Sequence, residues 1–403
     1  MTDETANRAG DAATTQAERR TFAVAAGAHA LHDGYTDVLY VMLPVWQAEF
    51  GLSYAAVGAL RAMFTGAMAG LQIPAGQLAD RVGSATVLAL GTALSGLGFG
   101  IAGASTGFAV LVVALLVGGI GSSTQHPVAS ALVARAYAGP RSLKAIGGYN
   151  FAGDVGKMLV PALAAAMMVV VPWRPTVVIL GAAGLVAALA IALFTPRAFG
   201  GKPPAQAQAT ERTERATFAG AFTLLLGIGI IDSAVRMAFL TFMPFLLTGK
   251  GAGLPAIGIA LTLVFAGGAA GKLACAYLGA RIGVIGTVFL TEILTAFLIA
   301  AMLALPLEAA FVALPLLGIA LNGTSSVLYG SVPDLVPAHR RTRAFGIFYT
   351  GTIGGGTVAP VIFGLAGDVL GLTLTLILIA GAALTTLPLA YLLRPAFVAK
   401  RRP

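Results

Sequence analysis

The chain has 403 residues, of which 58% are hydrophobic and only 10% are charged. Soluble domains carry about 25% charged residues, so the composition excludes a soluble globular protein and indicates an integral membrane protein. The net charge of +9 would suggest a nucleic-acid partner for a soluble chain, but membrane proteins collect Lys and Arg in their cytoplasmic loops, and we expect no nucleic-acid binding.

Twelve apolar runs follow a polar segment, residues 1–20, which we expect to be a disordered cytoplasmic tail. Each run is long enough, as a helix, to cross roughly 30 Å of hydrocarbon. The runs cover residues 21–45, 53–78, 85–104, 106–134, 145–170, 175–194, 217–247, 253–279, 284–304, 309–331, 344–367 and 371–393. The sequence therefore predicts an all-α membrane protein with twelve transmembrane helices.

A polar segment, residues 195–216, separates six runs from six and is typical of a flexible cytoplasmic linker. It divides an N-terminal six-helix bundle, residues 21–194, from a C-terminal one, residues 217–393, and residues 394–403 form a second cytoplasmic tail. The two halves repeat at a nearly constant spacing, because the pairs Asp33 and Asp232, Gly119 and Gly318, and Pro161 and Pro360 each lie 199 positions apart. This spacing indicates a parallel duplication.

The basic residues predict the orientation. With both termini in the cytoplasm, the inner segments hold nineteen of the 25 Lys and Arg residues, and the outer loops hold two, Arg174 and Lys250. The remaining four lie within the spans. Cytoplasmic loops carry the excess of positive charge, so we expect this orientation.

The turn between the second and third runs reads Gly76-Gln77-Leu78-Ala79-Asp80-Arg81-Val82-Gly83. A reduced copy, Gly279-Ala280-Arg281-Ile282-Gly283, follows about 200 residues later and lacks the aspartate. The pattern resembles the signature loop of the major facilitator superfamily. The resemblance implies two six-helix bundles that expose a central substrate site alternately to the two sides of the membrane. It also implies a gating role for this loop, through Gly76, Asp80, Arg81 and Gly83.

Ionisable groups inside a span cost about 2.5–3.5 kcal/mol each at mid-membrane, so each needs a compensating role. The first span carries six polar residues at spacings of three and four, which places them on one helical face. They are His29, His32, Asp33, Thr36, Asp37 and Tyr40. Two interpretations stay open, namely proton handling with substrate contact, or hydrogen bonds that only hold the bundle together.

Similar depth or helical spacing predicts several ion pairs. Asp37 is expected to meet Arg61, and Lys272 to meet Glu292 as a structural pair. Asp154 and Lys157 are three residues apart, and Asp232 and Arg236 are four apart, so each pair can neutralise itself. Alternatively, Lys157 faces a cavity as the cation for an anionic substrate.

Within residues 25–165 the sequence resembles one particular branch of the superfamily. His-x-x-His-Asp in the first span, the Gly119–Pro127 run with His126, and a glycine-rich fifth span with Tyr149 and Asn150 are similar to the fosmidomycin-resistance branch of the superfamily. The resemblance implies a drug exporter that exchanges its substrate for protons. Drug antiporters usually carry Gly-Pro in the fifth span, where this chain has Val160-Pro161. Four cations within the spans suggest an alternative, the proton-coupled uptake of a small organic anion, and they are Arg61, Lys157, Arg236 and Lys272.

The resulting site has no catalytic residue, metal ligand or cofactor, and no Walker, HExxH or GxSxG motif indicates an enzyme. Proton coupling is assigned to Asp33, His32 and Asp232. Substrate contacts are assigned to His29, Asp37, Tyr40, Arg61, His126, Tyr149, Asn150, Asp154, Lys157 and Arg236. The expected partners are a small molecule, protons and the lipid bilayer, and the expected form is a monomer in a bacterial inner membrane. A non-transporting receptor or scaffold is disfavoured, because the linker is too short for a soluble output domain.

Overall fold

A computed structural model describes residues 2–137, 140–196, 199, 220–337 and 340–398. Helices and the short turns between them make up this part of the chain, and it contains no strand. Most of the predicted linker, residues 195–216, and residues 399–403 of the predicted C-terminal tail lie outside the described residues. The domain boundaries based on them stay predictions.

The helices follow the twelve predicted runs in order. We number them as spans 1–12, and several spans consist of two helical segments. In the first half, the spans are Thr2–Phe50, Tyr54–Gly70 with Gln72–Val82, Ser84–Gly103, Phe108–Ser122 with Ser130–Ala136, Pro140–Met167 and Trp173–Phe194. In the second half, Gly220–Gly249 is span 7, Leu254–Ala304 contains spans 8 and 9, Leu307–Leu335 is span 10, Arg341–Leu370 is span 11, and Leu372–Leu384 with Thr386–Val398 is span 12.

Length and hydropathy support a membrane position for these helices. Eight described helices are long and apolar enough to cross a membrane, and a ninth span results if the two segments of span 2, bent by 44°, count together. The 51-residue helix Leu254–Ala304 is two spans, since its backbone leaves the helical region at Gly283. With this helix counted as two spans and span 2 counted as one, the number is ten, and spans 1 and 5 complete the twelve. Spans 1 and 5 carry the densest sets of ionisable side chains.

The turn between spans 2 and 3 is shorter than predicted. Helix Gln72–Val82 includes most of the expected loop, so the reversal falls on Gly83, whose φ is +101°. Gly283 repeats this feature 200 residues later with φ +78°. Glycine suits both positions because a side chain disfavours positive φ. The two reversals support the predicted internal duplication.

The N-terminal tail also differs from expectation. Span 1 begins at Thr2, so residues 2–20 continue the helix instead of forming a disordered tail. Thr21 is fully buried, and Glu18 is mostly buried in an ion pair with Arg141 at the start of span 5. This contact joins the helix to span 5 just before the apolar run begins.

Contacts divide the chain into two compact units. The first unit comprises residues 1–38, 63–160 and 170–209, and the second comprises residues 39–62, 161–169 and 210–403. An apolar core that includes Leu88, Leu132 and Tyr149 packs the first unit, and one that includes Phe222, Leu328 and Phe348 packs the second. Each unit also buries its own cluster of ionisable residues.

Candidate functional site

The polar face of span 1 is buried in the first unit. His29, His32, Asp33 and Asp37 are each no more than 6% exposed, which confirms that the predicted face points into protein. Burial without a partner costs several kcal/mol for a charged group, so the neighbours of these side chains decide what the face can do.

The carboxylate of Asp33 is paired with the ammonium of Lys157 on span 5. Lys157 Nζ lies 3.3 Å from Asp33 Oδ2 and 3.9 Å from Asp154 Oδ1. The predicted pair with Asp154 is therefore present, but the shorter contact is one that sequence spacing did not predict. An ion pair between spans 1 and 5 offsets part of the cost of both buried charges.

Two glycines on span 5 make this contact possible. A Cβ added at Gly153 would lie 2.6 Å from Asp33 Oδ2, and one at Gly156 would overlap the backbone carbonyl of Ala30. The glycine-rich sequence of span 5 was predicted to allow close helix contact, and the structure confirms it.

Two imidazoles lie beside the other oxygen of Asp33. His29 Nδ1 donates a hydrogen bond to the carbonyl oxygen of Tyr149 at 2.8 Å, and the two rings stack with centroids 4.0 Å apart. The Nε2 atoms of His29 and His32 lie 3.4 and 3.8 Å from Asp33 Oδ1, and neither makes a hydrogen bond within the described structure. Because a carbonyl only accepts, His29 carries hydrogen on Nδ1, and a second proton on Nε2 would point at Asp33. The cluster can therefore accept a proton.

His126 completes the cluster from span 4. Its ring centroid lies 5.4 Å from that of His29 and 4.9 Å from that of His32. It belongs to a π-helical turn, Gln125–Ala129, which interrupts the span. Such turns are frequent at functional sites, and here the interruption falls at the Pro127 that follows His126.

Part of this cluster has the spacing of a metal site. His29, Asp33 and His126 each offer one ligand atom, and these atoms lie within 4.8 Å of one another. Imidazole and carboxylate together suit a first-row transition metal. The ammonium of Lys157 already balances the charge of the Asp33 carboxylate. The charge of the cluster therefore gives no reason to place a metal ion there.

A small polar cavity adjoins His32. Its volume is about 10 Å³, and its lining includes Thr92, Ser95, Ser122 and Gln125. This is roughly the space of one water molecule, and Gln125 Nε2 is buried without a hydrogen bond in the described residues. Sequence analysis did not identify Thr92 and Ser95, because isolated hydroxyl residues in span 3 give no pattern. A larger cavity, about 770 Å³, lies in the second unit beside Gly283, Asp334 and Arg394 and includes no predicted site residue.

The second unit buries Asp232 with Arg236 and Glu292. Arg236 Nη1 lies 3.8 Å from Asp232 Oδ2, which confirms the predicted pair. Glu292 on span 9 is 2% exposed and interacts electrostatically with Asp232 and Arg236. Lys272, the predicted partner of Glu292, is exposed, and its pairing with Glu292 stays a prediction.

The remaining predicted residues are dispersed. Arg61 Nη2 donates to the Tyr40 hydroxyl at 3.0 Å, and its guanidinium also lies 4.7 Å above the Tyr40 ring. Asp37 is within electrostatic range of Lys157, and its pairing with Arg61 stays a prediction. Asn150 is exposed and does not share the buried position of Tyr149.

Most of the signature-loop residues lie at the protein surface. Asp80 and Arg81 are exposed in the last turn of span 2, next to the buried Gly83, and Gly76 is half-buried earlier in the same helix. Their predicted role in gating stays a prediction.

Comparison with known proteins gives curated relatives at low identity. The chain is 30% identical over 141 residues to the probable L-galactonate transporter of Escherichia coli (strain K12). This alignment covers 35% of this chain and 31% of the relative. It is 28% identical over 171 residues to the fosmidomycin resistance protein of the same strain, covering 42% of each. It is 25% identical over 215 residues to the multidrug resistance protein MdtL of Shewanella oneidensis, covering 53% of this chain and 54% of that protein. The alignments thus span between a third and about half of these relatives.

Solved structures match the whole fold. A bacterial homologue of the human lysosomal transporter Spinster, in an inward-facing and unoccupied conformation, aligns with a TM-score of 0.79 at 16% identity, over 96% of this chain and 99% of that one. The nucleoside transporter NupG aligns with a TM-score of 0.76 at 14% identity, over 94% and 100% of the two chains. At this identity the likeness establishes the fold, which confirms the predicted twelve-helix, two-bundle architecture.

The sequence profile of the Major Facilitator Superfamily matches residues 25–231 and 225–403, which is nearly the whole chain. The duplicated halves, the reversals at Gly83 and Gly283, and the buried charged face of span 1 agree with that match. The chain is therefore a multi-pass membrane protein that belongs to the Major Facilitator Superfamily.

Proposed function

We propose that the protein is a proton-coupled secondary transporter of a small molecule, and that it exports a drug-like compound in exchange for protons by alternating access. It acts as a monomer in a bacterial inner membrane, with both termini in the cytoplasm. Asp33 and His32 carry the coupling proton in the first unit, and Asp232 contributes in the second. The proton gradient supplies the energy.

The cluster around Asp33 is the observation that supports this proposal. It contains a carboxylate, an ammonium and three imidazoles, all within the membrane-spanning part of the chain. Imidazole and carboxyl groups gain and lose protons near neutral pH once their surroundings shift them. Protonation of Asp33 would release Lys157 from its nearest carboxylate, so proton binding and the position of span 5 are linked.

The similarity to the fosmidomycin resistance protein and to MdtL favours export. A second candidate is proton-coupled uptake of a small organic anion. The similarity to the probable L-galactonate transporter favours an anionic substrate, as does the ammonium of Lys157 beside the imidazoles. Both candidates place the proton on the same cluster and differ in the direction of the substrate.

Transport into reconstituted vesicles with an imposed pH gradient tests both candidates. We expect fosmidomycin to accumulate in vesicles that are acidic inside, because outward proton flow drives an antiporter to load substrate. Accumulation of L-galactonate in vesicles that are acidic outside would instead establish uptake. Accumulation of both probes without any pH gradient would overturn proton coupling.

The matched variants are Asp33→Asn and Glu308→Gln. Glu308 is an exposed acid at the start of span 10, so its neutralisation should leave transport unchanged. Asp33→Asn should abolish gradient-driven accumulation yet retain the substrate-induced rise in the thermal unfolding midpoint. Full gradient-driven activity in Asp33→Asn would show that another group carries the proton.

A further inference from the structure

An aspartate near the end of span 11 binds the start of span 2. Asp368 Oδ1 accepts a hydrogen bond from the backbone N–H of Tyr54 at 2.6 Å, and Asp368 Oδ2 accepts one from the N–H of Ala55 at 3.0 Å. Span 2 begins at Tyr54, so these are the first two N–H groups of the helix. The start of a helix carries partial positive charge and unpaired N–H donors, and a carboxylate there is stabilising.

The other two donors of this first turn have acceptors close by in the chain. Ser53 Oγ accepts a hydrogen bond from the N–H of Ala56 at 3.2 Å, and the N–H of Val57 donates to the Ser53 carbonyl oxygen at 3.0 Å. Asp368 therefore supplies the two acceptors that the chain around the start of span 2 does not. If Asp368 moves away, water must replace it at both N–H groups.

Two glycines bring the backbones of spans 2 and 11 together beside this contact. A Cβ added at Gly58 would lie 2.2 Å from the carbonyl oxygen of Pro360, and one at Gly364 would lie 2.4 Å from that of Tyr54. The Tyr54 ring also packs edge-on against Phe245 on span 7, with centroids 5.5 Å apart. All of these residues belong to the second compact unit. The distribution of basic residues predicts that both helix ends face the outside.

The internal duplication provides a second crossing of the same kind, between spans 8 and 5. Gly258 lies 200 positions after Gly58, and Pro161 lies 199 positions before Pro360. A Cβ added at Gly258 would lie 2.8 Å from Ala165 Cβ and 3.4 Å from the carbonyl oxygen of Pro161. A glycine at the start of one span thus packs against the segment after a proline in both crossings, which makes them a matched pair.

The second crossing lacks both sides of the contact that Asp368 makes. The position 199 before Asp368 is Val169, so the acid is absent. The position 200 after Ala55 is Pro255, which has no N–H to donate. The same helix packing therefore forms without a carboxylate at the helix start. Asp368 adds a contact that the packing itself does not require.

We propose that Asp368 is a latch residue, which holds the start of span 2 to the end of span 11 in this conformation and releases it in the opposite one. The inference rests on the alternating access proposed above, because span 2 belongs to the first repeat and span 11 to the second. When the two repeats part at this end, the N–H groups of Tyr54 and Ala55 exchange the carboxylate for water. The latch thus favours the conformation in which these helix ends are in contact.

A distance measurement between two spin labels tests the latch in the purified protein, without substrate or a gradient. The labels are attached through Ala48→Cys at the end of span 1 and Thr373→Cys at the start of span 12, both exposed positions, in a Cys275→Ala background. We expect a major short-distance population and a minor longer one. Asp368→Asn should raise the ratio of long to short distances about fivefold, since the charged acceptor at the helix start is lost. Asp368→Glu retains a carboxylate and should restore part of the wild-type ratio.

Matched variants make the result specific. Glu308→Gln removes another exposed acid, from the first turn of span 10, and should leave the ratio unchanged. Gly58→Ala should raise the long-distance population with Asp368 intact, because the methyl group overlaps the Pro360 carbonyl, and it shows that the labels detect opening of this crossing. Gly70→Ala on the same helix should have no effect, since its Cβ would meet nothing within 4 Å.

The outcomes separate the latch from the transport function. A wild-type protein without the short-distance population would overturn the latch, and so would an Asp368→Asn ratio equal to that of the wild type. Absence of proton-driven accumulation in the vesicle assay would instead overturn the proposed function, and it would not alter the distance ratios. A fivefold rise in Asp368→Asn together with partial recovery in Asp368→Glu would establish the latch.

Discussion

At the residue scale, the contact between Asp33 and Lys157 determines how the first cluster behaves. Asp33 is almost fully buried, whereas the side chain of Lys157 is 31% exposed. A buried charge that loses its partner destabilises a protein by about 3–5 kcal/mol, and the exposed part of Lys157 reduces that figure here. The same lysine is also the candidate contact for an anionic substrate, so variants must separate these two roles.

Lys157→Met should lower the thermal unfolding midpoint of the purified protein, since the Asp33 carboxylate is left without its nearest cation. The double variant Lys157→Met with Asp33→Asn should recover most of that loss. Lys157→Met with Asp154→Asn should recover less, because Asp154 is farther from Nζ and more exposed. Equal recovery in the two double variants would contradict the assignment of Asp33 as the main partner.

The substrate role has a separate readout in the same variants. If Lys157 binds an anion, Lys157→Met should weaken that anion tenfold or more, about 1.4 kcal/mol, and Asp33→Asn should not restore its affinity. Lys157→Arg should restore affinity only partly, because a planar guanidinium differs from a compact ammonium. An unchanged anion affinity in Lys157→Met would leave Lys157 as an ion-pair residue alone.

At the element scale, glycines on span 5 set its distance from span 1. Gly153 and Gly156 face Asp33 and the Ala30 backbone, whereas a Cβ added at Gly147 on the same helix would meet nothing within 4 Å. The ion pair between Asp33 and Lys157 depends on this close approach. The charged cluster therefore stays buried and paired only as long as spans 1 and 5 pack this closely.

Gly156→Ala should destabilise the protein by about 1–3 kcal/mol, since the added methyl group overlaps the Ala30 backbone and forces the two spans apart. Gly147→Ala is the matched control and should be neutral or slightly stabilising, because alanine favours a helix. Thermal unfolding of the two purified variants provides the comparison. Equal midpoints would show that the contact between spans 1 and 5 tolerates a methyl group.

At the scale of the whole molecule, the arrangement of basic residues predicts which ends of the spans face the cytoplasm. Leu143 near the start of span 5 and Val170 just after it are 80% and 81% exposed, so both can be labelled. Cys275 is the single cysteine of the sequence and is buried. A background with Cys275→Ala therefore gives a clean starting point for labelling.

A cysteine in place of Leu143 should react with a membrane-impermeant reagent only from the cytoplasmic side. A cysteine in place of Val170 should react only from the outside. Intact cells and inverted vesicles provide the two sides. Reversed labelling would disprove the orientation derived from the positive charges, and labelling from both sides would disprove a membrane-spanning position for span 5.

The sequence by itself determined the number of spans, the duplication and the buried polar face of span 1. These features depend on local properties, namely run length, helical spacing and a constant offset between the halves. The pair of Asp232 with Arg236 was predictable for the same reason, since four residues on one helix bring side chains together. The reversals at Gly83 and Gly283 also fall within the two motifs that the sequence identified.

Only the tertiary structure decided which charges meet across helices. Asp33 lies 124 positions from Lys157, so their contact leaves no trace in local spacing. Depth in the membrane also leaves open which way a side chain points, and the rotation of each helix about its axis leaves Lys272 exposed and Glu292 buried. That rotation is set by packing against neighbouring spans. The apolar pattern places a residue at a depth in the membrane, and the packed bundle selects its partner.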